Sequence, residues 1–215
     1  MSDSAAFHEI EEAVRKDELK EWWQRWGTWV VALAVLAIVA ATAAVGWRQY
    51  QASQRVQASA AYSAALAQIG QDSAAARAAL EAQAGNAPEP YRSLAALLSA
   101  QLREPVDAQV TALLEAAPTL SSPELTDLAN VIAAFKSVDT PRAEETIVRL
   151  EPLAGPGRPF RLSVRELQAM LAMRKGDTKR ARELWNEIAK DPQVPQGAAQ
   201  RTAAMLNLYG ATEAK

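Results

Sequence analysis

The 215-residue sequence has no cysteine. That excludes a disulfide framework, a thiolate zinc site and a lipid-anchored N-terminal cysteine. Histidine occurs once, as His8 in the charged N-terminal stretch, and the common Ser/His and Cys/His nucleophile pairs therefore have no base in the body of the chain. Glycine is sparse, at nine residues, and runs of β-branched residues are few. With alanine abundant, that composition favours helix throughout. No Lys, Arg, Asp or Glu lies between Arg25 and Arg48. A formal net charge of −2 excludes the basic excess expected of a nucleic-acid binder.

The uncharged stretch reads Trp29-Val-Val-Ala-Leu-Ala-Val-Leu-Ala-Ile-Val-Ala-Ala-Thr-Ala-Ala-Val45. A helix rises ~1.5 Å per residue, so roughly 20 apolar residues cross a ~30 Å hydrocarbon layer. Trp22, Trp23, Trp26 and Trp29 flank one end, and Trp47 and Tyr50 the other, as interfacial aromatics do. The expectation is a transmembrane helix over residues 28–47. A buried helix of a soluble domain is the first rival, opposed by the lack of a polar face. A signal peptide cleaved after Ala43 is the second, because Ala41-Thr42-Ala43 has the small-x-small form. A signal peptide, however, begins with a short basic stretch, and here the lead-in is long, acidic as well as basic, and rich in tryptophan. Arg15, Lys16, Lys20 and Arg25 precede the run, and Arg48 and Arg55 follow it. That excess places the N-terminus in the cytoplasm and the rest of the chain in the periplasm of a bacterium.

Residues 1–28 carry four basic and seven acidic side chains. Phe7, Ile10 and Val14 alternate with them at helical spacing, so residues 1–27 read as an amphipathic juxtamembrane segment. Beyond Trp47 nothing breaks the helix before Gly70, which is expected to end it in the left-handed conformation. The apolar stripe expected along this extension is Val56, Ser59/Ala60, Ser63, Leu66/Ala67 and Ile69.

Helical segments then alternate with breaks over residues 48–215. They are predicted at Asp72–Ala84, Tyr91–Leu102, Val106–Ala116, from Pro123 through Phe135, at Asp139–Leu150, Phe160–Lys175, Thr178–Lys190 and Gly197–Leu208. The clearest loop is Ala154-Gly155-Pro156-Gly157-Arg158-Pro159. It lacks the Lys-Ser/Thr helix start of a phosphate-binding loop. A repeat is visible: Asp139-x₃-Ala143-x₃-Ile147 matches Asp177-x₃-Ala181-x₃-Trp185, 38 residues apart, and Asp72-x₃-Ala76-x₃-Leu80 is a weaker copy. In each, Asp can cap a helix N-terminus, a small Ala permits close approach of a neighbouring helix, and the bulky residue fills the groove one turn on.

The stretch Ala169-x₂-Ala172-x₃-Gly176-Asp177-x₃-Ala181-x₃-Trp185-x₂-Ile188-x₂-Asp191-Pro192 resembles one tetratricopeptide unit. The predicted fold class is all-α: one N-terminal transmembrane helix followed by a tetratricopeptide-like helical-hairpin solenoid. The layout as a whole is similar to the ancillary SecYEG translocon subunit family. That resemblance rests on the charged N-terminus, the span ending in Val45-Gly46-Trp47-Arg48, the segment Ala58-Ser59-Ala60-Ala61-Tyr62 and the Gly176-Asp177 unit. It implies an inner-membrane protein with a periplasmic domain that associates with the Sec translocon and with periplasmic folding factors. An envelope scaffold of cytochrome maturation or cell division shares the same sequence features.

No catalytic, cofactor-binding or metal-binding residue is nominated, and no cofactor, nucleic acid or small-molecule substrate is expected. Glu144 and Glu145 are neighbours and point to different sides of a helix, so they form no dyad. The remaining rival is a helical enzyme with a dispersed carboxylate site. One charge cluster stands out: Arg158, Arg161, Arg165, Arg174, Lys175, Lys179, Arg180 and Arg182, against Glu166 and Asp177. It reads either as a solvated helix face or as a basic surface for an acidic partner or anionic lipid headgroups.

Overall fold

In the computed structural model the described residues are 3–210 for the backbone, and 20 and 22–209 for side chains. His8 and the amphipathic pattern of residues 1–19 lie outside the described side chains. Among the described residues every regular element is helical. The elements are α1 (Asp3–Gln68), α2 (Ser73–Asn86), α3 (Tyr91–Gln101), α4 (Val106–Ala116), α5 (Pro123–Ser137), α6 (Ala143–Val148), α7 (Arg161–Arg174), α8 (Thr178–Ala189) and α9 (Gln196–Gly210). Short 3₁₀ turns occupy Ala117–Thr119 and Glu151–Leu153. The chain divides into two compact units, residues 1–54 and 55–215.

The first unit is helix α1 up to Gln54. Its stretch from Trp22 onward contains a window of mean hydropathy 2.4, none of it buried. Leu33, Leu36, Ile38 and Val39 all stand exposed, as do the flanking tryptophans. A helix this long and apolar, with no protein covering it, is a candidate membrane span. Thr42, its one hydroxyl residue between Trp29 and Gly46, donates to the carbonyl of Ile38. That bond removes a polar group from hydrocarbon without a partner helix. Gly27 is buried beneath the Trp23 ring, which lies 3.1 Å from where a Cβ would stand.

The second unit starts with the end of α1, and here the structure corrects the expected face. Ala58 and Ala65 are buried, and Tyr62 and Ile69 are half-buried. Val56, Ala60, Ser63, Leu66 and Ala67 are exposed instead. The small side chains of Ala58 and Ala65 face the core, and Ala65 clusters with Leu80 and Ala95. The Tyr62 ring meets Tyr91 at 6.0 Å between centroids. The alanine face is the covered one, although the Val56/Leu66 face is the more apolar. Gly70 is not left-handed; among the glycines only Gly157 and Gly176 have positive φ. α1 ends instead through turn bonds from the Gln71 and Asp72 N–H groups to the Gln68 carbonyl, at 2.9 and 2.8 Å.

Each later helix packs on its neighbours in sequence. α2 pairs with α3, α4 with α5 and α7 with α8, while α3 also meets α4 and α8 meets α9. This is the one-dimensional stacking of a helical repeat, in which a hairpin buries its faces only against adjacent hairpins. α3 lies between α2 and α4, so it is buried nearly all round: Ser93, Ala95, Leu97, Ser99 and Ala100 are covered. Leu94, Leu98 and Leu102 are only half-buried.

The repeated sequence pattern maps onto burial. Ala76 and Leu80, Ala143 and Ile147, and Ala181 and Trp185 are all at most 2% exposed. The caps follow in two copies of three. Asp72 accepts from the Ala75 N–H and Asp177 from the Arg180 N–H, both at 2.9 Å. Asp139 does not cap. Its helix begins only at Ala143, and Thr140 supplies the local bonds, donating to the Ser137 carbonyl and accepting from the Arg142 N–H. Pro141 explains the shortening, because the residue before a proline is pushed out of the helical region. Gly176, at φ 79°, ends α7 as expected. The Asp177 N–H bonds the Ala172 carbonyl at 2.9 Å, closing a Schellman turn that only a left-handed residue permits without strain. Phe135, near the end of α5, stands 38% exposed.

Candidate functional site

The C-terminal hairpin α7–α8 and the closing helix α9 hold the densest set of inter-element polar contacts. Arg161, in the first turn of α7, forms a bidentate pair with Asp191 in the turn after α8, the second bond being 2.9 Å from Nη2 to Oδ1. Its Nη2 also donates to Gln193 Oε1 at 3.2 Å. Asp191 additionally accepts from the Gln193 N–H at 2.9 Å. The hydrogen bond from Arg161, then that from Gln193, hold the Asp191 carboxyl below its ordinary range. On the same side, Glu166 of α7 is 5% exposed and takes both edges of the Arg201 fork of α9, at 2.7 and 2.8 Å. This bond to Glu166 outweighs burial and raises the Arg201 pKa. Two fork-to-carboxylate pairs therefore fasten α9 and the preceding loop to α7, a geometry that arginine provides and lysine does not.

Between these pairs lies an open cleft of about 420 Å³. Arg158, Arg161, Ser163, Glu166, Gln193 and Arg201 contribute its polar lining, and Gly157 and Gly197 admit the backbone close to it. Gly157 has φ 77°, so the loop turns there in a conformation that a larger residue resists.

The structure distributes the basic cluster rather than gathering it. Arg165 reaches Glu187 at 3.6 Å. Arg174 donates to the Val138 and Thr140 carbonyls, the latter at 2.9 Å, tying α7 to the chain beyond α5. Lys175 pairs with Glu144 of α6, and Arg180 with Glu183 at 3.2 Å. The cluster is therefore divided: Arg161, Arg165, Arg174 and Lys175 tie α7 and its C-terminal turn to other elements, and Arg180 pairs within α8. Arg158 and Lys179 are exposed and have no ion-pair partner among the described residues. Glu144 and Glu145 diverge as expected, Glu144 to Lys175 and Glu145 to Arg149 at 2.8 Å.

The sequence reading missed Glu166 as a partner, and missed Arg201, Ser163 and Gln193 altogether. Glu166 and Arg201 are separated by 35 positions, and no local pattern links them. The one available signal was Glu166 itself, an acid on the α7 face that also carries Ala169 and Ala172.

Acid should loosen this closure. A carboxyl whose pKa is lower folded than unfolded stabilises the fold above its unfolded pKa, and that stability is lost as pH falls through the folded value. For Asp191 the loss is therefore confined below about pH 4. Thermal unfolding of the full chain in detergent, followed from pH 7 to pH 3, should fall less steeply in acid for Asp191→Asn than for the parent. Parallel profiles would remove Asp191 from the acid response.

Elsewhere, two buried polar contacts join separate elements. Ser93 accepts from the Ser121 N–H at 3.0 Å, and Ser137 meets Thr146 at 2.5 Å across the α5–α6 contact. A second surface recess of about 400 Å³ lies where α2, α3 and α4 meet, over Ala96, Ala100 and Ala112. Among the described residues no three His, Asp or Glu side chains are grouped to hold a metal ion.

Stacked hairpins, small-and-bulky repeat positions and a Gly-Asp turn are the features of a tetratricopeptide array. The model of the tetratricopeptide repeat-like domain matches residues 20–205. No curated protein and no solved structure matches the chain. With the match covering most of its length, the chain belongs to the tetratricopeptide repeat-like domain family.

Proposed function

We propose that this chain is a membrane-tethered protein-interaction module of the bacterial inner membrane, associated with the Sec translocon and assisting secretion or periplasmic protein folding. Tetratricopeptide-like domains act by presenting stacked hairpins to protein partners rather than by catalysis. The observation that carries the reading is the pairing, in one chain, of an uncovered apolar helix and a hairpin stack. The excess of Lys and Arg before the span supports a cytoplasmic N-terminus and a periplasmic hairpin domain. The order of features along the chain, from charged start to Gly176-Asp177 unit, supports the translocon and periplasmic folding factors as partners.

Photo-crosslinking in intact cells tests this, with the probe at the exposed positions Glu115 and Gln200 of the full chain. Capture of translocon subunits or periplasmic folding factors is expected. Capture only of cytochrome-maturation or cell-division proteins would move the chain to an envelope scaffold of another machine. A periplasm-active reporter should signal after Lys215 and stay silent before Phe7; the opposite pattern overturns the orientation.

A further inference from the structure

We infer that the cleft between α7 and α9 is a seat for the carboxylates of an acidic segment in a partner protein. The inference rests on the interaction-module reading above and specifies the chemistry of the partner.

The argument is an inventory of donors. Both acids beside the cleft are already neutralised, Asp191 by Arg161 and Glu166 by Arg201. Neither is free to repel an incoming anion. Several donors remain. The Arg158 guanidinium has no partner among the described residues. Arg201 bonds Glu166 through Nε and Nη2, which leaves Nη1, and its side chain is 58% exposed. Gln193 uses its Oε1 toward Arg161, so its amide NH₂ is unused. The Ser163 hydroxyl also lines the cleft with no partner among the described residues. No lysine contributes to the lining. Planar forks and neutral donors around one recess match carboxylates, which accept directional bonds from both oxygens. At about 420 Å³ the cleft exceeds a single oxyanion and has room for two carboxylates, which on an extended segment come from alternate residues because those share a face.

A lipid surface fits less well. Attachment to anionic headgroups needs roughly four to eight clustered cations, each adding a comparable increment. Here Arg161, Arg165, Arg174, Lys175, Arg180 and Arg201 are engaged within the protein. Arg158 alone supplies uncompensated charge at the cleft.

The test uses the full chain in neutral detergent micelles and fluorescence anisotropy. The probe is a fluorescein-labelled hexapeptide with two glutamates separated by one residue, compared with its two-glutamine counterpart. The glutamate peptide should bind, and the glutamine peptide roughly tenfold or more weakly, the scale of one lost charge-assisted hydrogen bond. Arg158→Gln should weaken the glutamate peptide by a similar factor, about tenfold. The side chain of Arg158 is exposed in a loop, so circular dichroism should show the helices unchanged. Lys179→Gln, also removing one exposed cation, should leave binding at the parent level. Equal binding of both peptides, or an unchanged affinity in Arg158→Gln, overturns the inference. Binding to phosphatidylglycerol vesicles that depends on Arg158, without peptide binding, overturns it in favour of a membrane contact. The failure of this cleft and the failure of the interaction module are separable. Crosslinked partners recovered equally from the parent and Arg158→Gln would sink only the cleft; no crosslinked protein at all would sink the module.

Discussion

Trp185→Ala should destabilise the C-terminal hairpin by about 3–5 kcal/mol, the largest loss expected from any single side chain here. Trp185 is 2% exposed and sits among Ala169, Ala172, Ala181, Leu184 and Ile188. Its indole stacks on Tyr209 of α9, with centroids 5.8 Å apart and planes 13° from parallel. Removing it opens a cavity between α7, α8 and α9 and also strips α9 of an aromatic contact. Because each hairpin touches only its neighbours, the damage should be local. Amide exchange should quicken in α7–α9 and stay near the parent rate in α2 and α3. The melting midpoint of that region should fall by roughly 6–20 °C. Ala181→Leu attacks the same site by the opposite route. Ala181 is fully buried, and a larger side chain there forces strained rotamers, costing about 1–3 kcal/mol. Exposed Lys179→Ala should stay within about 0.5 kcal/mol. If Trp185→Ala and Ala181→Leu both melt like the parent, the α7–α8 pairing is wrong.

Leu80→Ala should cost about 2–5 kcal/mol at the other end of the stack. Leu80 is fully buried and clusters with Ala65 of α1 and Ala95 of α3, with Tyr62, Leu98 and Leu102 around them. The exchange signature should mirror the first: faster amides in residues 55–68, α2 and α3, with α7–α9 unaffected. Leu80 and Trp185 lie in separate clusters with no shared partner, so the double variant should lose the sum of the two effects within about 0.5 kcal/mol. A global loss of protection from either variant alone would show that the hairpins melt as one cooperative block.

The sequence by itself determined whatever depends on neighbours along the chain. The uncharged run between Arg25 and Arg48 declares a candidate span because length and hydropathy are sums over consecutive residues. Asp72 and Asp177 cap their helices, and Gly176 closes α7, because these bonds reach only three to five residues. The Ala76/Leu80, Ala143/Ile147 and Ala181/Trp185 pairs were legible as buried positions because helical spacing puts each pair on one face. The tertiary structure decided the rest. It buried the Ala58/Ala65 face of α1 and left Val56 and Leu66 exposed, since the face that is covered depends on where α2 and α3 stand and not on which face is the more apolar. It limited α6 to Ala143–Val148, where Thr140 and Pro141 hold the chain in a turn. Most of all, it chose the charge partners. Arg161 with Asp191 and Glu166 with Arg201 meet across 30 and 35 positions. A side-chain fork has to be brought within about 3 Å of its carboxylate, and only the packing of whole helices fixes separations that finely.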